Sequence, residues 1–581
     1  MSISALASQW LPVLRWGPKY NREFLAADGV AAAVVTLMLI PQSLAYALLA
    51  GMPPQAGLYA SMAPLVLYAL FGSSSTLAVG PAAVTSLMTA ASVNVVVAQG
   101  SVSYTDAAML LALISGVVMV LMGAARLGFL ANFLSHPVIS GFVSASGLLI
   151  AASQLKHLLG VPLKGDTLWQ LALNLPLQLG AVHYPTLIMG LAVLAFLILA
   201  RKRAKPLLKR MGASAFAADL GAKAAPVLAL LISIGLAYGL DLASKGMKVV
   251  GHVPQGLPGL TWPSSTGANL QLLQTLLVPA LLISLVGFVE SVSVGQSLAA
   301  KRRERIDPDA ELRALGLSNL GAGLTGGFPV TGGFSRSVVN FDAGARTPAA
   351  GLFTAAGLAL AALFLTPLLY HLPQATLAAT IMVAVLSLVD LGCFGHTWRY
   401  ARSDFVALLL TFTLTLLAGV EVGLIAGVTT SVLLLLYRSS RPHIATVGQV
   451  PGTEHYRNVL RHRVITQPQI LGLRVDESLY FANARYLEDH IAAQVAQHPA
   501  VRHIVLQCSA VNDIDGSALE SLQTIDQRLK DAGVKLHLSE VKGPVMDRLQ
   551  RSDLLKHLSG QVFLTQHQAV QTLTLASAPR A

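Results

Sequence analysis

The sequence has few charged residues, few aromatic residues and almost no cysteine. Of its 581 residues, 12% are charged and 6% are aromatic, whereas soluble domains carry about 25% charged residues. Together with a hydrophobic fraction of 54%, this deficit excludes a disordered chain, a coiled coil and an ordinary soluble enzyme. Cys393 and Cys508 lie too far apart in the sequence for a disulfide framework or a usual metal spacing. These absences leave a polytopic membrane protein.

Motifs for targeting and catalysis are also missing. A signal peptide has a charged stretch, a short apolar run and a small-residue cleavage site in that order. The N-terminus of this sequence lacks that order, so we expect no cleaved signal peptide. The sequence contains no Walker A motif, nucleophile elbow or zinc-ligand spacing. We therefore predict a protein that is not an enzyme and uses neither a cofactor nor a metal ion.

Long apolar stretches recur from about residue 26 to residue 437. Most are near the length that crosses ~30 Å of hydrocarbon, and we predict 14 segments, uncertain by about two because Pro and Gly interrupt several. The predicted domains are a cytoplasmic N-terminal segment (1–25), a transmembrane transport domain (26–437), a linker (438–465) and a cytoplasmic C-terminal domain (466–581).

The net charge of +12 is concentrated in four basic clusters. Their members are Arg15, Lys19 and Arg22; Arg201, Lys202, Arg203, Lys205, Lys209 and Arg210; Lys301, Arg302, Arg303 and Arg305; and Arg438 and Arg441. We predict the second and third clusters as loops. The positive-inside rule places all four in the cytoplasm, with six, two and six segments between them and both termini inside. Nucleic-acid binding is disfavoured, because the clusters lack aromatic residues interleaved on one face.

Two stretches in the membrane region are poor continuous helices. Residues 77–87 contain Gly80-Pro81, and residues 328–340 contain Pro329 and Gly332-Gly333. They are the third and tenth predicted segments, and broken segments at matching positions of two halves indicate a transporter binding site. Two helix N-termini would meet there and offer unpaired N–H groups to an anion. The alternative is a pair of helix kinks without a ligand.

Two ionisable residues lie deep in predicted segments. Arg336 begins the second broken helix, where its burial costs at least ~2.5–3.5 kcal/mol unless it faces a partner or a wet cavity. Glu290 lies in a stretch without other charges, and a carboxylate buried without a cation can bind a proton near neutral pH. The alternative is a structural Glu290–Arg336 ion pair. Other acidic residues lie nearer predicted segment ends, where solvent or snorkelling can satisfy them: Asp28, Asp342, Asp404 and Glu421.

Four stretches carry a family resemblance, namely residues 40–61, residues 79–87, the segment around Glu290 and residues 319–340. Together they resemble the sulfate permease (SulP) family of anion transporters. The resemblance implies an α-helical membrane protein with a seven-plus-seven inverted repeat, divided into a core and a gate domain. It also implies a homodimer in which the core moves against the gate like an elevator. Substrates across the family include sulfate, bicarbonate, chloride, oxalate and C4-dicarboxylates.

The resemblance also implies roles for individual residues. Those implied to contact the anion are Gln42, Tyr46, Ala82, Ala83, Ser335 and Arg336. Two alternatives remain open, namely that Gln42 only satisfies the kink after Pro41 and that Tyr46 only packs. The small side chain of Ala82 suits a tetrahedral or elongated divalent anion better than chloride.

Glu290 aligns with the position that the family uses for cation coupling. Sodium-coupled members add a hydroxyl one turn later, where this sequence has Val294. Because a valine side chain cannot supply an oxygen ligand, the resemblance favours a coupling proton over sodium.

The C-terminal region is predicted to be an α/β domain. Strands are predicted at 470–475, 503–508 and 534–540, with helices at 483–496 and 517–530. Through residues 511–522, VNDIDGSALESL, it resembles the STAS domain, which implies a possible cytoplasmic partner. Ser517 falls where soluble relatives are phosphorylated, at a helix N-terminus that favours phosphate. The alternative is a plain N-cap serine.

These observations together predict a secondary active anion transporter. We predict proton-coupled uptake of sulfate or a similar divalent oxyanion. The alternatives are sodium-coupled bicarbonate transport, proton-coupled transport of a C4-dicarboxylate such as fumarate, an uncoupled channel or exchanger, and an anion sensor with a STAS readout. The expected surroundings are the lipid bilayer of a bacterial inner membrane and a second copy of the chain, without nucleic acid.

Overall fold

The computed structural model describes residues 10–98, 102–133, 135–163, 165, 167–212, 214, 218, 221–222, 224–263 and 270–577. Residues 1–9 of the predicted N-terminal segment therefore lie outside the described residues. The chain divides after Ser431 into two compact units.

The first unit is helical, and its last helix continues past Ser431 into the second unit. Its helices are α1 (Val13–Trp16), α2 (Arg22–Leu49), α3 (Pro54–Phe71), α4 (Ala83–Val97), α5 (Tyr104–Ala124), α6 (His136–Ser153), α7 (Leu155–Leu159), α8 (Leu168–Gln178), α9 (Tyr184–Arg210), α10 (Ala225–Gly239), α11 (Leu270–Arg302), α12 (Pro308–Leu324), α13 (Phe334–Asp342), α14 (Ala349–Phe364), α15 (Gln374–Leu386), α16 (Gly392–Tyr400), α17 (Arg402–Ala418) and α18 (Val420–Ser440). Two short strands, β1 (Val79–Gly80) and β2 (Thr331–Gly332), interrupt this series. Within the described residues, six helices are long and apolar enough to cross a membrane, and four shorter ones are also apolar.

The helices of the first unit pack in two groups. In one group, α5 lies along α12, and α3 and α11 pack against this pair. Helix α2 packs on α3 and α14, and α4 and α13 both contact α11, so these helices belong to the same group. In the other, α6 packs on α17 and α9 packs on α15. Glycine permits close approach of α5 and α12, because a Cβ atom at Gly316 would lie 2.7 Å from the Val120 backbone nitrogen. Small residues at helix contacts are the usual way in which membrane helices pack closely.

The basic cluster at residues 201–210 is helical, which corrects the predicted loop. These residues form the C-terminal part of α9, a helix of 27 residues. Lysine, arginine, leucine and alanine are good helix formers, and Pro206 does not end the helix. At 1.5 Å per residue α9 is about 40 Å long, longer than the ~30 Å hydrocarbon layer. A helix of this length can cross the layer and still extend its basic end beyond it.

The second unit contains a six-stranded sheet in the order β4-β3-β5-β6-β7-β8. The strands are β3 (Ile444–Gln449), β4 (Tyr456–Asn458), β5 (Ile470–Val475), β6 (His503–Gln507), β7 (Lys535–Ser539) and β8 (Val562–Phe563). Strands β5 to β8 are parallel, whereas β3 is antiparallel to both β4 and β5. The helices are α19 (Phe481–Gln497), α20 (Gly516–Asp531), α21 (Gly543–Leu549), α22 (Leu554–His557) and α23 (Gln566–Ser577).

The sheet extends further towards the N-terminus than we predicted. Strands β3 and β4 lie within residues 438–465, for which we predicted a linker. The predicted strands β5, β6 and β7 and helices α19 and α20 are present with ends within two residues of the prediction. These elements are long enough for their apolar periodicity to predict them from local sequence. Strands β4 and β8 have only three and two residues, too few to show a periodicity.

Candidate functional site

The two broken segments meet as a pair of antiparallel strands. Val79 of β1 lies opposite Gly332 of β2, and Gly80 lies opposite Thr331. Helix α4 begins at Ala83 and helix α13 begins at Phe334, shortly after these strands. The first N–H groups of a helix have no partner within the helix. Two sets of such donors therefore lie beside the strand pair.

All seven residues predicted for anion contact and coupling line one cavity of about 40 Å³. They are Gln42, Tyr46, Ala82, Ala83, Glu290, Ser335 and Arg336. Sequence reasoning missed Ala384 and Leu388, which also line this cavity. These two apolar residues carry no sequence signal for the site, since only the packing of α15 and the turn after it brings them there.

Arg336 joins the two broken segments. Its guanidinium donates to the carbonyl oxygens of Gly80 at 3.0 Å and Thr331 at 3.1 Å, and also to that of Pro81. The side chain is 2% exposed, and its Nε has no hydrogen-bond partner among the described residues. Gly333 makes room for it, because a Cβ atom there would lie 2.8 Å from one guanidinium nitrogen. The arrangement holds a positive charge at the edge of the cavity.

Gln42 and Tyr46 present polar groups to the cavity from α2. They are one turn apart and therefore share a helix face, and their exposed fractions are 7% and 8%. Among the described residues, neither side chain makes a hydrogen bond, so the Gln42 amide does not satisfy the backbone at Pro41. Ser335 is the second residue of α13, where its backbone N–H lacks a helical partner. These groups can bind an oxyanion.

Glu290 lies between the polar cavity and an apolar one. Besides the site, it lines a pocket of about 20 Å³ formed by valine and other apolar side chains, including Phe142 and Leu424. In the described part of the chain, its carboxylate makes no hydrogen bond and no ion pair, including with Arg336. Val294, one turn later on α11, is buried and offers no oxygen.

Side chains that sequence reasoning missed hold β2 in place. Ser291 Oγ accepts from the Gly332 N–H at 2.9 Å and donates to the Gly287 carbonyl at 2.6 Å. Asn319 Oδ1 accepts from the Val330 N–H at 2.9 Å, and its Nδ2 donates to the Val330 carbonyl at the same distance. Ser291 directly follows Glu290, so its sequence position was the available signal.

Side chains of α13 hold the segment before β1. Ser337 Oγ accepts from the Ala78 N–H at 3.0 Å, and Asn340 Nδ2 donates to the Thr76 carbonyl at 3.0 Å. The two broken segments therefore fix each other's geometry. A site made of backbone groups is well ordered only when such contacts hold the backbone.

Two buried carboxylates outside the cavity have structural partners. Glu311 accepts from the Tyr68 hydroxyl at 2.8 Å and from Ser73 and Ser74. Asp28, which we expected near an exposed segment end, is fully buried and accepts from the backbone and hydroxyl of Thr347. Among the described residues, no group of three or more His, Cys, Asp or Glu could hold a metal ion.

A larger cavity of about 430 Å³ adjoins the site. The two cavities share five lining residues, namely Gln42, Phe334, Ser335, Ala384 and Leu388. The larger one continues along α9 and α13 to Arg201 and Asp342. It provides an approach to the site.

Comparison with protein families gives two matches that cover most of the chain. Residues 25–411 match the Sulfate permease family, and residues 462–569 match the STAS domain. The chain belongs to the sulfate permease family. It is therefore a multi-pass membrane protein that transports anions rather than an enzyme, as its relatives' names also indicate.

Curated relatives of this sulfate permease family member align over nearly its whole length. Sulfate transporter 4.1 of Arabidopsis thaliana, a chloroplast protein, is 34% identical over 97% of this chain and 81% of its own length. A probable sulfate transporter of Mycobacterium tuberculosis is 34% identical over 97% of this chain and 98% of its own length. High affinity sulfate transporter 2 of Stylosanthes hamata is 31% identical, with 97% and 86% covered.

Solved structures of anion transporters share the fold. Murine solute carrier 26 family member A9 in the inward-facing state superposes with a TM-score of 0.87 at 23% identity, covering 99% of this chain and 95% of the other. The transmembrane domain of a cyanobacterial bicarbonate transporter gives 0.59 at 19% identity, covering 71% and 98%. The α-helical membrane fold with a C-terminal α/β STAS domain is thereby confirmed.

Asp515, rather than Ser517, caps helix α20 in the STAS domain of this family member. Asp515 Oδ1 accepts from the Ala518 N–H at 2.8 Å, which corrects the alternative that Ser517 is the N-cap. Aspartate fits because its backbone is extended there and its carboxylate reaches the free N–H groups. Ser517 lies inside the first turn and is exposed, so its phosphorylation stays a prediction.

Proposed function

We propose that this protein takes up sulfate or a similar divalent oxyanion together with protons, by an elevator-type movement of one helix group against the other. The observation that carries the proposal is the meeting of two helix N-termini, Arg336 and Glu290 around one cavity. Helix N-termini and a guanidinium favour an anion. The names of the relatives support sulfate.

Binding in this proposal uses backbone and side-chain donors together. The anion accepts from free N–H groups of α4 and α13 and from Ser335 and Gln42, beside the positive charge of Arg336. Tyr46 and the methyl group of Ala82 border the space. This arrangement favours binding of a divalent oxyanion, because several donors can each bind one of its oxygen atoms.

Coupling in this proposal rests on Glu290. Its carboxylate has no cation within ion-pair distance among the described residues and faces an apolar pocket on one side. A carboxylate in that place is best accommodated in its protonated form. Val294 supplies no oxygen ligand, which supports a proton over sodium. Protonation of Glu290 would then accompany movement of the loaded site.

The movement in this proposal occurs between the two helix groups. Ala384 and Leu388 contribute to the site wall from the group that contains α9 and α15. The other lining residues named above come from the group that contains α5 and α12, on α2, at the start of α4, on α11 and on α13. The site therefore lies at a boundary that can open. We also propose a homodimer in a bacterial inner membrane, with the basic ends of α9, α11 and α18 in the cytoplasm.

Uptake of labelled sulfate into proteoliposomes with a clamped membrane potential tests the coupling. A gradient of one pH unit, acidic outside, can drive about tenfold accumulation for each coupled proton. We expect gradient-driven accumulation in the wild type, and its loss in Glu290→Gln with sulfate exchange retained. Glu23→Gln, an exposed change in the first turn of α2, is the matched control.

Several outcomes would contradict this proposal. Wild-type uptake that does not depend on the pH gradient would contradict proton coupling. Accumulation of sulfate by Glu290→Gln to the wild-type level would contradict it as well. A sodium gradient that drives uptake at equal pH would assign sodium as the coupling ion. If bicarbonate, fumarate or chloride is taken up faster than sulfate in the same assay, that anion and not sulfate is the substrate.

A further inference from the structure

We propose that Arg201, on the α9 side of the larger cavity, recruits the anion and guides it between solvent and the binding site. The inference rests on the proposed function, because it assigns a route to the same site. Its ligand class is the small divalent oxyanion.

The larger cavity shares part of its lining with the site cavity. Five residues border both spaces, and Ser335 and Gln42 among them carry polar groups. The larger cavity has a volume of about 430 Å³ and the site cavity about 40 Å³, so an anion can approach the site through the larger cavity. Arg201 lies on its border, on α9, and not on the border of the small cavity.

The charges on the wall are few. Among the described residues that line the larger cavity, Arg201 is the single cation and Asp342 the single acid. Most of the remaining wall is formed by alanine, leucine, valine and other apolar side chains. Low-dielectric walls strengthen the field of a charge at their surface, and a cation raises the concentration of an oppositely charged ligand near it. Because the wall also carries Asp342, this attraction acts on the α9 side of the cavity, where Arg201 lies.

The place of Arg201 on its helix suits this role. It lies about 26 Å along α9 from Tyr184 at 1.5 Å per residue, close to the thickness of the hydrocarbon layer. Arg203, two residues later, does not line the cavity. The basic run of α9 thus contains one side chain that faces the route and another that does not.

A structural role for Arg201 is the competing explanation. Among the described residues, its guanidinium donates one hydrogen bond, of 3.4 Å, to the Val383 carbonyl in the last turn of α15. Such a contact can cap a helix C-terminus. A guanidinium has five N–H donors, so this single long bond leaves donors for an oxyanion. The two roles differ in their dependence on ionic strength.

Sulfate uptake by proteoliposomes of the full chain, measured as KM across a series of ionic strengths, separates these roles. Steering of a charged ligand can change association ~10-fold or more, and it weakens as salt screens it. We expect Arg201→Gln to raise the KM for sulfate severalfold at low salt and to flatten its salt dependence. Arg203→Gln removes the same charge from the same helix and should keep the wild-type KM and salt dependence.

The Arg201→Lys variant and measurements of thermal unfolding distinguish loss of the charge from a folding defect. Lysine keeps the charge, so this variant should restore the salt dependence even where Arg201→Gln lowers the unfolding temperature. The inference is overturned if Arg201→Gln and Arg203→Gln behave alike, or if Arg201→Lys is as impaired as Arg201→Gln with a flat salt dependence. Absence of sulfate transport by the wild type would instead contradict the proposed function.

Discussion

At the scale of single residues, the site depends on side chains that never enter its cavity. Ser291 and Asn319 bind the backbone on either side of Thr331, and Ser337 binds the segment before β1. These contacts satisfy backbone groups that the broken segments cannot pair within a helix. The donors that we propose for the anion are then fixed in place before it arrives, which would lower the entropic cost of binding.

Ser291→Ala should impair transport through this framework. The Gly332 N–H loses its acceptor, and an unsatisfied buried donor costs about 1–3 kcal/mol. We expect a lower unfolding temperature and reduced sulfate uptake. Ser293→Ala is the matched control on the same helix, since Ser293 is exposed and should tolerate the change. Equal uptake by the two variants would show that the hydrogen bonds of Ser291 do not position the site.

At the scale of elements, local sequence patterns predicted the interrupted segments but not everything that surrounds them. Gly80-Pro81 and Gly332-Gly333 marked where each helix would begin, because these residues disfavour a helix interior. The pairing of β1 with β2 and the position of Ala384 arise from contacts between distant segments. The basic residues of α9 misled us, since high charge indicated a loop although lysine and arginine favour helices.

The contact between α5 and α12 should tolerate no added side chain. A Cβ atom at Gly316 would lie within 2.8 Å of the backbone at Val120 and Gly116, so Gly316→Ala forces the two helices apart. Overpacking of this kind costs about 1–3 kcal/mol, and we expect a lower unfolding temperature in detergent. Gly235→Ala on α10 meets no atom within 4 Å and should be nearly neutral. A Gly316→Ala variant as stable as Gly235→Ala would rule out this close packing.

At the scale of the whole molecule, the chain combines two units of different physical character. The first is organised by helix packing and by polar contacts that hold interrupted backbone. The second is a sheet whose central strands are almost entirely buried, as Leu473, Leu506 and Leu538 illustrate. Buried parallel strands read as continuous apolar runs, which explains why β5, β6 and β7 were predictable. The match to the STAS domain agrees with that pattern.

The paired histidines His503 and His537 of the second unit, of which His537 is buried, should make its stability depend on pH. His537 Nδ1 accepts from the Gln561 N–H at 3.0 Å, so its Nε2 carries the proton and faces His503 Nδ1 at 3.1 Å. A second proton on His537 would set two donors against each other. Burial, together with His503 and Lys535, lowers the pKa of His537 to about 4.

Because the pKa is lowered in the folded state, the unfolded chain binds the proton first as the pH falls. The stabilisation is complete above about pH 6.5 and is lost between that value and about pH 4. Thermal unfolding of residues 432–581 should therefore show a free energy of unfolding about 2 kcal/mol lower at pH 4.5 than at pH 7. His537→Gln should reduce this slope, whereas His462→Gln, a change at an exposed histidine, should keep it. A slope unchanged by His537→Gln would mean that other groups control the acid sensitivity of the sheet.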